Sequence, residues 1–396
     1  MECKAIQLSE VITDIAAGPF GSNLKVSCFV NEGFPVIDGA NLKGFKVTDN
    51  ITKFVTEEKA RSLHRSIAKR GDIIVTISGT LGQIAYIPDD SKYEEYLCSQ
   101  RQFRVTFDTT KVYVPYLVFY FHTYEGQHKI LSFANQVGVP ALSQPLKNFR
   151  QITIQLPDLD TQKKIAIIVE LINGKIEQNE SINNNLEQQL HLLFIQIFNG
   201  ISEDVVLGDV VETTSGGTPS RKHTEYYENS SICWVKSKEL LGNYILDTEE
   251  HINDMALSKS SAKLLPMHSV LIAMYGATVG AYGIISKSMT CNQAVCALLC
   301  NEKYPYTYLF QIAQEQQQKL INMAVGSAQQ NISQVLIKQL PLHSDIAAIR
   351  KFHNLALPLH KQIEKLQAEN RTLSEMRDTL LPQLMSGELD VSNIDL

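Results

Sequence analysis

The sequence predicts an α+β protein written twice: two similar domains of short strands and small helices, each followed by one long amphipathic helix. Three observations support that reading. Segments recur in the same order at an offset that drifts from 199 residues down to about 190, as a duplication with altered loop lengths would produce. Two stretches of about 35–40 residues carry apolar side chains at alternating spacings of four and three, the seam of a coiled coil. The rest of the chain mixes short apolar runs with turns rich in Gly, Pro, Ser and Asn, the pattern of α+β domains with exposed polar loops.

Taken in order, residues 1–157 form the first domain, with strand-like runs DIIVTIS (72–78) and FRVTF (103–107). Residues 158–202 form a central helix whose apolar positions step as Ile165, Val169, Ile172, Ile176, then Leu186, Leu190, Leu193 and Ile197, with Asn179 and Asn183 between. Residues 203–341 form the second domain, with SVLIAMY (269–275) and VCALL (295–299) as strands. Residues 342–390 form a second long helix, stepping through Phe352, Ala356, Leu359, Ile363, Leu366, Asn370, Leu373, Arg377, Leu380 and Leu384, and 391–396 are a tail. A polar residue in mid-seam fixes register at some cost in stability. Because both helices carry one, pairing with each other is favoured over each packing on its own domain alone. Each would extend about 55–60 Å at 1.5 Å per residue. Pro358 and Pro382 should kink or interrupt the second helix, since proline removes a ladder bond; Pro358 could instead mark a late start.

The repeat is explicit in the letters. LSEVITDIAAG (8–18) matches LGDVVETTSGG (207–217), with Gly18 opposite Gly217. PVIDGANLKG (35–44) aligns with CWVKSKELLG (233–242), GDIIVTISGTLG (71–82) with HSVLIAMYGATVG (268–280), and CSQ (98–100) with CNQ (291–293). Both copies place Leu-Pro before the helix, and the helices end at IFNG (197–200) and LMSG (384–387).

Composition and motifs exclude several classes. An apolar share of 44% with 20% charged residues belongs to a globular chain. No apolar run approaches the roughly 18–20 residues that span a bilayer, and MECKAIQLSEVITD has no signal-peptide pattern. Seven scattered cysteines suggest reduced thiols in a cytoplasm. No GxxxxGK(S/T) loop, HExxH or GxSxG motif is present. Cys291, Cys296 and Cys300 lack an evident fourth ligand, so no metal is expected. The net charge of −6 is unevenly spread: residues 1–157 hold 17 Lys+Arg against 15 Asp+Glu, and residues 207–340 hold 10 against 11. Nucleic-acid affinity would therefore need local patches or a partner. The basic run KARSLHRSIAKR (59–70) is either a solvated helix face or a phosphate contact.

The loops carry the candidate binding groups. GPFGSNLK (18–25) and GGTPSRK (216–222) hold small and polar residues that let a backbone approach a phosphate. Asn and Gln read adenine edges, and Arg and Lys read guanine. On that chemistry the candidates in the first domain are Ser22, Asn23, Lys25, Asn41, Lys43, Ser78, Thr80, Gln100, Arg101, Gln102, Ser143 and Gln144. In the second they are Thr218, Ser220, Arg221, Lys222, Lys236, Lys238, Tyr275, Thr278, Asn292, Gln293, Gln329, Gln330 and Asn331. The competing use of such side chains is turn capping, which needs no ligand.

The order domain, coil, domain, coil resembles the specificity (S, HsdS) subunit of type I restriction–modification systems. SGGTPSRKHTEYY (215–227), INDMALSKSSAKLLP (252–266), YGATVGAYGI (275–284) and CNQAVCAL (291–298) look like that family's target-recognition domain. LPDLDTQKKIAIIVELINGKIEQNESINNNLEQ (156–188) and MRDTLLPQLMSGEL (376–389) look like its spacer helices. The resemblance implies a subunit without a catalytic centre. Each target-recognition domain would read one half of a bipartite, asymmetric site in double-stranded DNA. The helices would pair antiparallel, set the spacer, and seat two adenine-N6 methyltransferase (M) subunits, in a pseudo-two-fold arrangement that follows from duplication. Restriction (R) subunits would add ATP-driven cleavage. No cofactor is expected in this chain; S-adenosylmethionine, ATP and Mg would belong to the partners, and no membrane is involved. Consistent with this, the sequence contains no Asn/Asp-Pro-Pro-aromatic methyltransferase motif. The rival reading is a duplicated coiled-coil protein-interaction scaffold without DNA specificity.

Overall fold

The computed structural model describes residues 3–135, 139–324, 331–391 and 394. The chain forms two compact units, one of residues 1–175 with 373–396 and the other of residues 176–372, so each unit holds part of both long helices.

In the first unit, strands Ile12–Ala17, Gln102–Phe107, Ile73–Thr76 and Ile84–Tyr86 form an antiparallel sheet in that order. Its central run is apolar on successive residues because both faces are covered. Ile73 and Val75 enter one core with the helix Val114–His122, while Ile74 faces a second core with Ile37, Tyr96 and Cys98. The second core lies on a sheet ordered Phe29–Val30, Phe54–Val55, Phe34–Ile37, Glu95–Cys98, Ile67–Lys69. The second unit repeats the plan. Strands Glu212–Ser215, Val295–Leu299, Val270–Ala273, Tyr282–Ile285 and Tyr244–Ile245 form the main sheet, and His251–Ile252, Ile232–Val235 and Thr290–Cys291 the smaller one. All four apolar runs expected as strands are strands.

Strand register corrects the sequence alignment at one point. Val75 pairs with Phe103 and Phe103 with Ala17; equivalently, Ile272 pairs with Cys296 and Cys296 with Ser215. Gly18 is therefore equivalent to Gly216, not Gly217. Both are glycine for the same reason: a Cβ would lie 1.8 Å from the Ser99 carbonyl oxygen at Gly18 and 2.0 Å from that of Cys291 at Gly216.

Each copy ends in a strand pair that launches its long helix: Cys3–Gln7 with Thr153–Pro157, and Glu203–Val206 with Pro341–His343. Asp158 and Asp345 then cap the helices, accepting from the backbone N–H groups of Thr161 and Ala348, each at 2.9 Å. The Pro157–Asp158 pair is thus a helix entry. The helices are Leu159–Phe198 and Ile346–Ser386, 40 and 41 residues long. Each stops before a glycine in the left-handed region, Gly200 at φ 79° and Gly387 at φ 78°.

They pair antiparallel. In the second unit the Asn179 side-chain amide donates to Asn370 Oδ1 at 2.8 Å, and the rings of Phe194 and Phe352 lie 5.5 Å apart, so one number rises as the other falls. In the first unit Arg377 donates to Asn173 Oδ1 at 3.0 Å, and Ile165 and Val169 share a core with Leu384. Among the seam positions, Ile165, Val169, Leu190, Phe352, Ala356, Ile363, Leu366 and Leu384 are buried. Ile172, Ile176, Leu186, Leu193, Ile197, Leu359, Asn370, Leu373, Arg377 and Leu380 are half-buried. Phe194 and Phe198, absent from the expected seam, are buried beside it.

The prolines do not interrupt the second helix. It runs through Pro358 and Pro382, both exposed, as are Asn354 and Asp378, whose carbonyls lose their partners. On a solvent face water replaces the lost ladder bond, which removes much of the penalty. Among the described residues no helix is long and apolar enough to cross a membrane.

The asparagine pair gives a first test. Asn179 is fully buried and its Oδ1 has no partner. Asn179→Leu alone leaves Asn370 without its donor and should cost about 1–3 kcal/mol. Adding Asn370→Leu should recover that loss, because paired apolar groups need no hydrogen bonds. Thermal denaturation of the three proteins measures it; a double variant less stable than the single one would show that the pair contributes net stability.

Candidate nucleic-acid interface

The strand ends of the first unit gather several candidates at one place. Turns after Phe34–Ile37, Ile73–Thr76 and Glu95–Cys98 line a concavity of about 700 Å³ with Asp38, Lys53, Ser78, Thr80, Gln100, Arg101 and Gln102 on its wall. Not every candidate there is free to meet a ligand. Asn41 is buried; its Oδ1 accepts from the Asp38 N–H at 3.1 Å and its amide donates to the Asn50 carbonyl at 3.2 Å. Gln102 is buried and accepts from the Ser99 hydroxyl. Gln100 donates to the carbonyls of Gly21 at 2.8 Å and Leu24 at 2.7 Å, which pins the 21–24 loop against the rim. These three shape the loops. Ser22, Asn23, Lys25, Lys43, Thr80, Arg101, Ser143 and Gln144 are exposed, and Ser78 is half-buried. Ser78 is bridged to Ala141 in a β-bridge, as Tyr275 is to Asn331 in the second unit, so the repeat extends into the loops.

In the second unit Thr218, Ser220, Arg221, Lys222, Lys238, Tyr275, Gln293 and Asn331 are exposed, and Lys236, Thr278 and Asn292 half-buried. Gln329 and Gln330 lie outside the described residues. Asn292 accepts from the Ala294 N–H at 3.1 Å, and Thr278 donates to the Tyr275 carbonyl at 3.2 Å. Lys236 and Arg221 both donate to Glu250, whose carboxyl they hold below the usual carboxylate range. Arg221 also lies 4.3 Å from the Tyr227 ring centroid and 5.4 Å from that of Trp234. Trp234 is itself anchored, its indole N–H donating to the Gly217 carbonyl at 3.0 Å. The result is a basic corner backed by aromatic rings, its two cations sharing one acid. Glu250 was missed from the sequence because it meets Lys236 and Arg221 from 14 and 29 residues away, and Tyr227 and Trp234 because their aromatic type gives no sign that they back Arg221, 6 and 13 residues before them.

The basic run 59–70 reads as a solvated, charge-compensated face. Arg61 pairs with Glu57 at 2.8 Å and Glu95 at 2.6 Å, and Lys69 with Glu95 at 3.4 Å.

For metals, one group of ligand-type side chains converges among the described residues: Cys233, Asp247 and His251, with ligand atoms within 4.8 Å of one another. Asp247 is already matched by Arg371 at 2.5 Å and flanked by Lys287 at 3.8 Å. Burial pushes the thiols of Cys291, Cys296 and Cys300 up to about 12, as for neutral packing groups.

Comparison with known proteins places this architecture. The type I restriction modification DNA specificity domain matches residues 22–188 and again 201–343. The type I restriction enzyme MjaIX specificity subunit of Methanocaldococcus jannaschii is 23% identical over 376 residues, covering 86% of this chain and 82% of that protein. The EcoR124I/EcoR124II specificity subunit of Escherichia coli is 24% identical over 215 residues, covering 51% of this chain and 52% of that one. Among solved structures, the type I restriction-modification S subunit from M. genitalium superposes with a TM-score of 0.62 at 14% identity, covering 97% of this chain and 96% of that one. With two matched segments that together span most of its length, the chain belongs to the type I restriction modification DNA specificity family.

Proposed function

We propose that the chain is the DNA-recognition subunit of a type I restriction–modification complex, each repeat reading one half of a bipartite, asymmetric site. The observation that carries this is the duplicated loop scaffold with unlike side chains: one set of strand ends presents Thr80, Arg101 and Lys25, the other Tyr275, Arg221 and Lys236. A scaffold repeated with different polar groups reads two different half-sites. The paired helices set the half-site separation and seat two M subunits. Leu171 and Met376 in the first unit, and Leu192, Ile195 and Leu355 in the second, leave the helices with exposed apolar side chains suited to that seat. Methyl transfer with S-adenosylmethionine, and ATP- and Mg-dependent cleavage, fall to the M and R partners. The near-neutral repeats bind DNA weakly alone, and partner phosphate contacts supply much of the affinity.

Exchanging residues 1–157 for the equivalent segment of a relative should change one half of the host's N6-methyladenine motif and leave the other half intact. Single-molecule sequencing of the genome reads both halves. A motif altered in both halves, or in neither, would overturn the modular reading.

A further inference from the structure

The two repeats contain the same ion pair with its polarity reversed. Strand Phe34–Ile37 pairs Pro35 with Phe54, and strand Ile232–Val235 pairs Cys233 with His251. The Val36 N–H donates to the Lys53 carbonyl at 2.9 Å, and the Trp234 N–H to the Glu250 carbonyl at 3.1 Å. Lys53 and Glu250 therefore occupy one structural position. So do Asp38 and Lys236, each the first residue after its strand. Each heads a one-turn helix whose third residue folds back on it: Asn41 Oδ1 accepts from the Asp38 N–H at 3.1 Å, and Glu239 from the Lys236 N–H at 2.7 Å. A capped helix follows in both, headed by Thr56 and by Asn253.

At this matched site the first repeat has a carboxylate, Asp38, held by Lys53 at 2.6 Å. The second has an ammonium, Lys236, held by Glu250. The backbone is the same and the charges are exchanged. Asp38 and Lys53 both line the recognition concavity, and Lys236 sits in the basic corner with Arg221. The side chains are part-exposed, 22% for Asp38 and 20% for Lys236, so each can reach a ligand yet is pre-oriented by its partner.

A carboxylate accepts from the exocyclic amino group of cytosine and repels the O6 and N7 acceptors of guanine, whereas a lysine donates to those acceptors. Resting on the DNA-recognition reading, we infer that the 38/236 position determines specificity with opposite sense in the two repeats. Asp38 selects an amino-bearing base in its half-site, and Lys236 selects guanine in the other. Lys53 and Glu250 are positioning residues. They aim the reader and keep its charge neutralised until a base edge of matching polarity replaces them. Glu250 also pairs with Arg221, which lowers the net charge of the corner and so limits its attraction to phosphates of any sequence.

The test inverts the pair without losing it. Lys236→Glu with Glu250→Lys is introduced into the host chromosome, and N6-methyladenine motifs are sequenced. One base pair of one half-site should change from guanine toward cytosine, with methylation of the original motif falling about 10- to 100-fold and the other half-site unchanged. A pair that only stabilises the turn would leave the bases of the motif unchanged, whatever methylation is lost as Arg221 gives up Glu250, and that result would overturn the inference. Equal loss on every sequence would also overturn it, assigning the pair to the phosphate backbone. Lys236→Gln, with Glu250 retained, is the second variant and should move preference from guanine toward adenine; Lys236→Arg should preserve guanine. If both left the base unchanged, the inference would fail even were the inverted pair to misfold. A wild-type strain in which deletion of this chain erases no motif would instead refute DNA recognition itself.

Discussion

Phe352→Ala should lower the stability of the second unit by about 3–5 kcal/mol, the range for removing a large buried aromatic. Phe352 is fully buried on the second long helix, with the rings of Phe194 at 5.5 Å and Phe198 at 6.0 Å. Those two rings, from the first long helix, in turn meet Tyr308 at 6.2 and 5.5 Å and His343 at 6.0 and 4.3 Å. One side chain therefore fastens both helices to the domain core, and an alanine leaves a cavity that a helix cannot close without shifting the others. The protein carries a single tryptophan, Trp234, which is buried in the second unit, so its fluorescence during urea titration reports this unit. Leu355→Ala, three residues further along the same helix but 48% exposed, is the control and should change stability by less than about 0.5 kcal/mol. Equal shifts for the two variants would refute the clamp.

That clamp also shows where sequence reasoning reached its limit. Leu190, Phe194 and Phe198 are spaced by four, the local face of a helix packed on a domain. The alternating three-and-four seam leaves that line after Leu190 for Leu193 and Ile197, and a heptad template follows it past Phe194 and Phe198. Where two helices face mainly each other, around Asn179 and Asn370, the template found the contact. Duplication, strands and helix ends were legible because they depend on spacing along the chain. The site was only partly so. Residue type identifies Gln100 and Asn41 as potential base readers, but their partners are decided by folding: the Gln100 amide binds Gly21, 79 residues away. Asp38 was visible opposite Lys236 in the repeat alignment, yet a carboxylate facing a lysine looks like ordinary divergence. Only the backbone register, which puts Lys53 where Glu250 stands, turns it into an exchanged pair.

Acid should destabilise the second unit, and His360 is the main reason. It is 1% exposed, with Nδ1 hydrogen-bonded to the Tyr244 hydroxyl at 3.0 Å and Nε2 without a partner. The rings of Phe310 and Tyr306 stand edge-on at 5.6 and 5.7 Å. Burial, with His353 and His268 nearby, pulls its pKa down to about 3. A histidine with a depressed folded pKa stays neutral in the native state while the unfolded chain protonates near 6.5, so falling pH favours unfolding. The loss begins near pH 6.5 and continues to about pH 3, at roughly 1.4 kcal/mol per pH unit for one such group. Between pH 7 and 5 that is about 2 kcal/mol, and His343 and His353, also lowered by burial, add in the same direction. His360→Phe should be less stable at pH 7, since it abandons the Tyr244 hydroxyl, yet lose about 2 kcal/mol less than wild type on going to pH 5. Subtracting the two urea titrations, read by Trp234, cancels the carboxylates, Glu364 included. Parallel losses would mean that His360 takes up its proton in the folded state and that its burial is relieved on acidification. A reduced loss would identify His360, which joins the second helix to Tyr244 of the main sheet, as a group whose protonation drives acid unfolding.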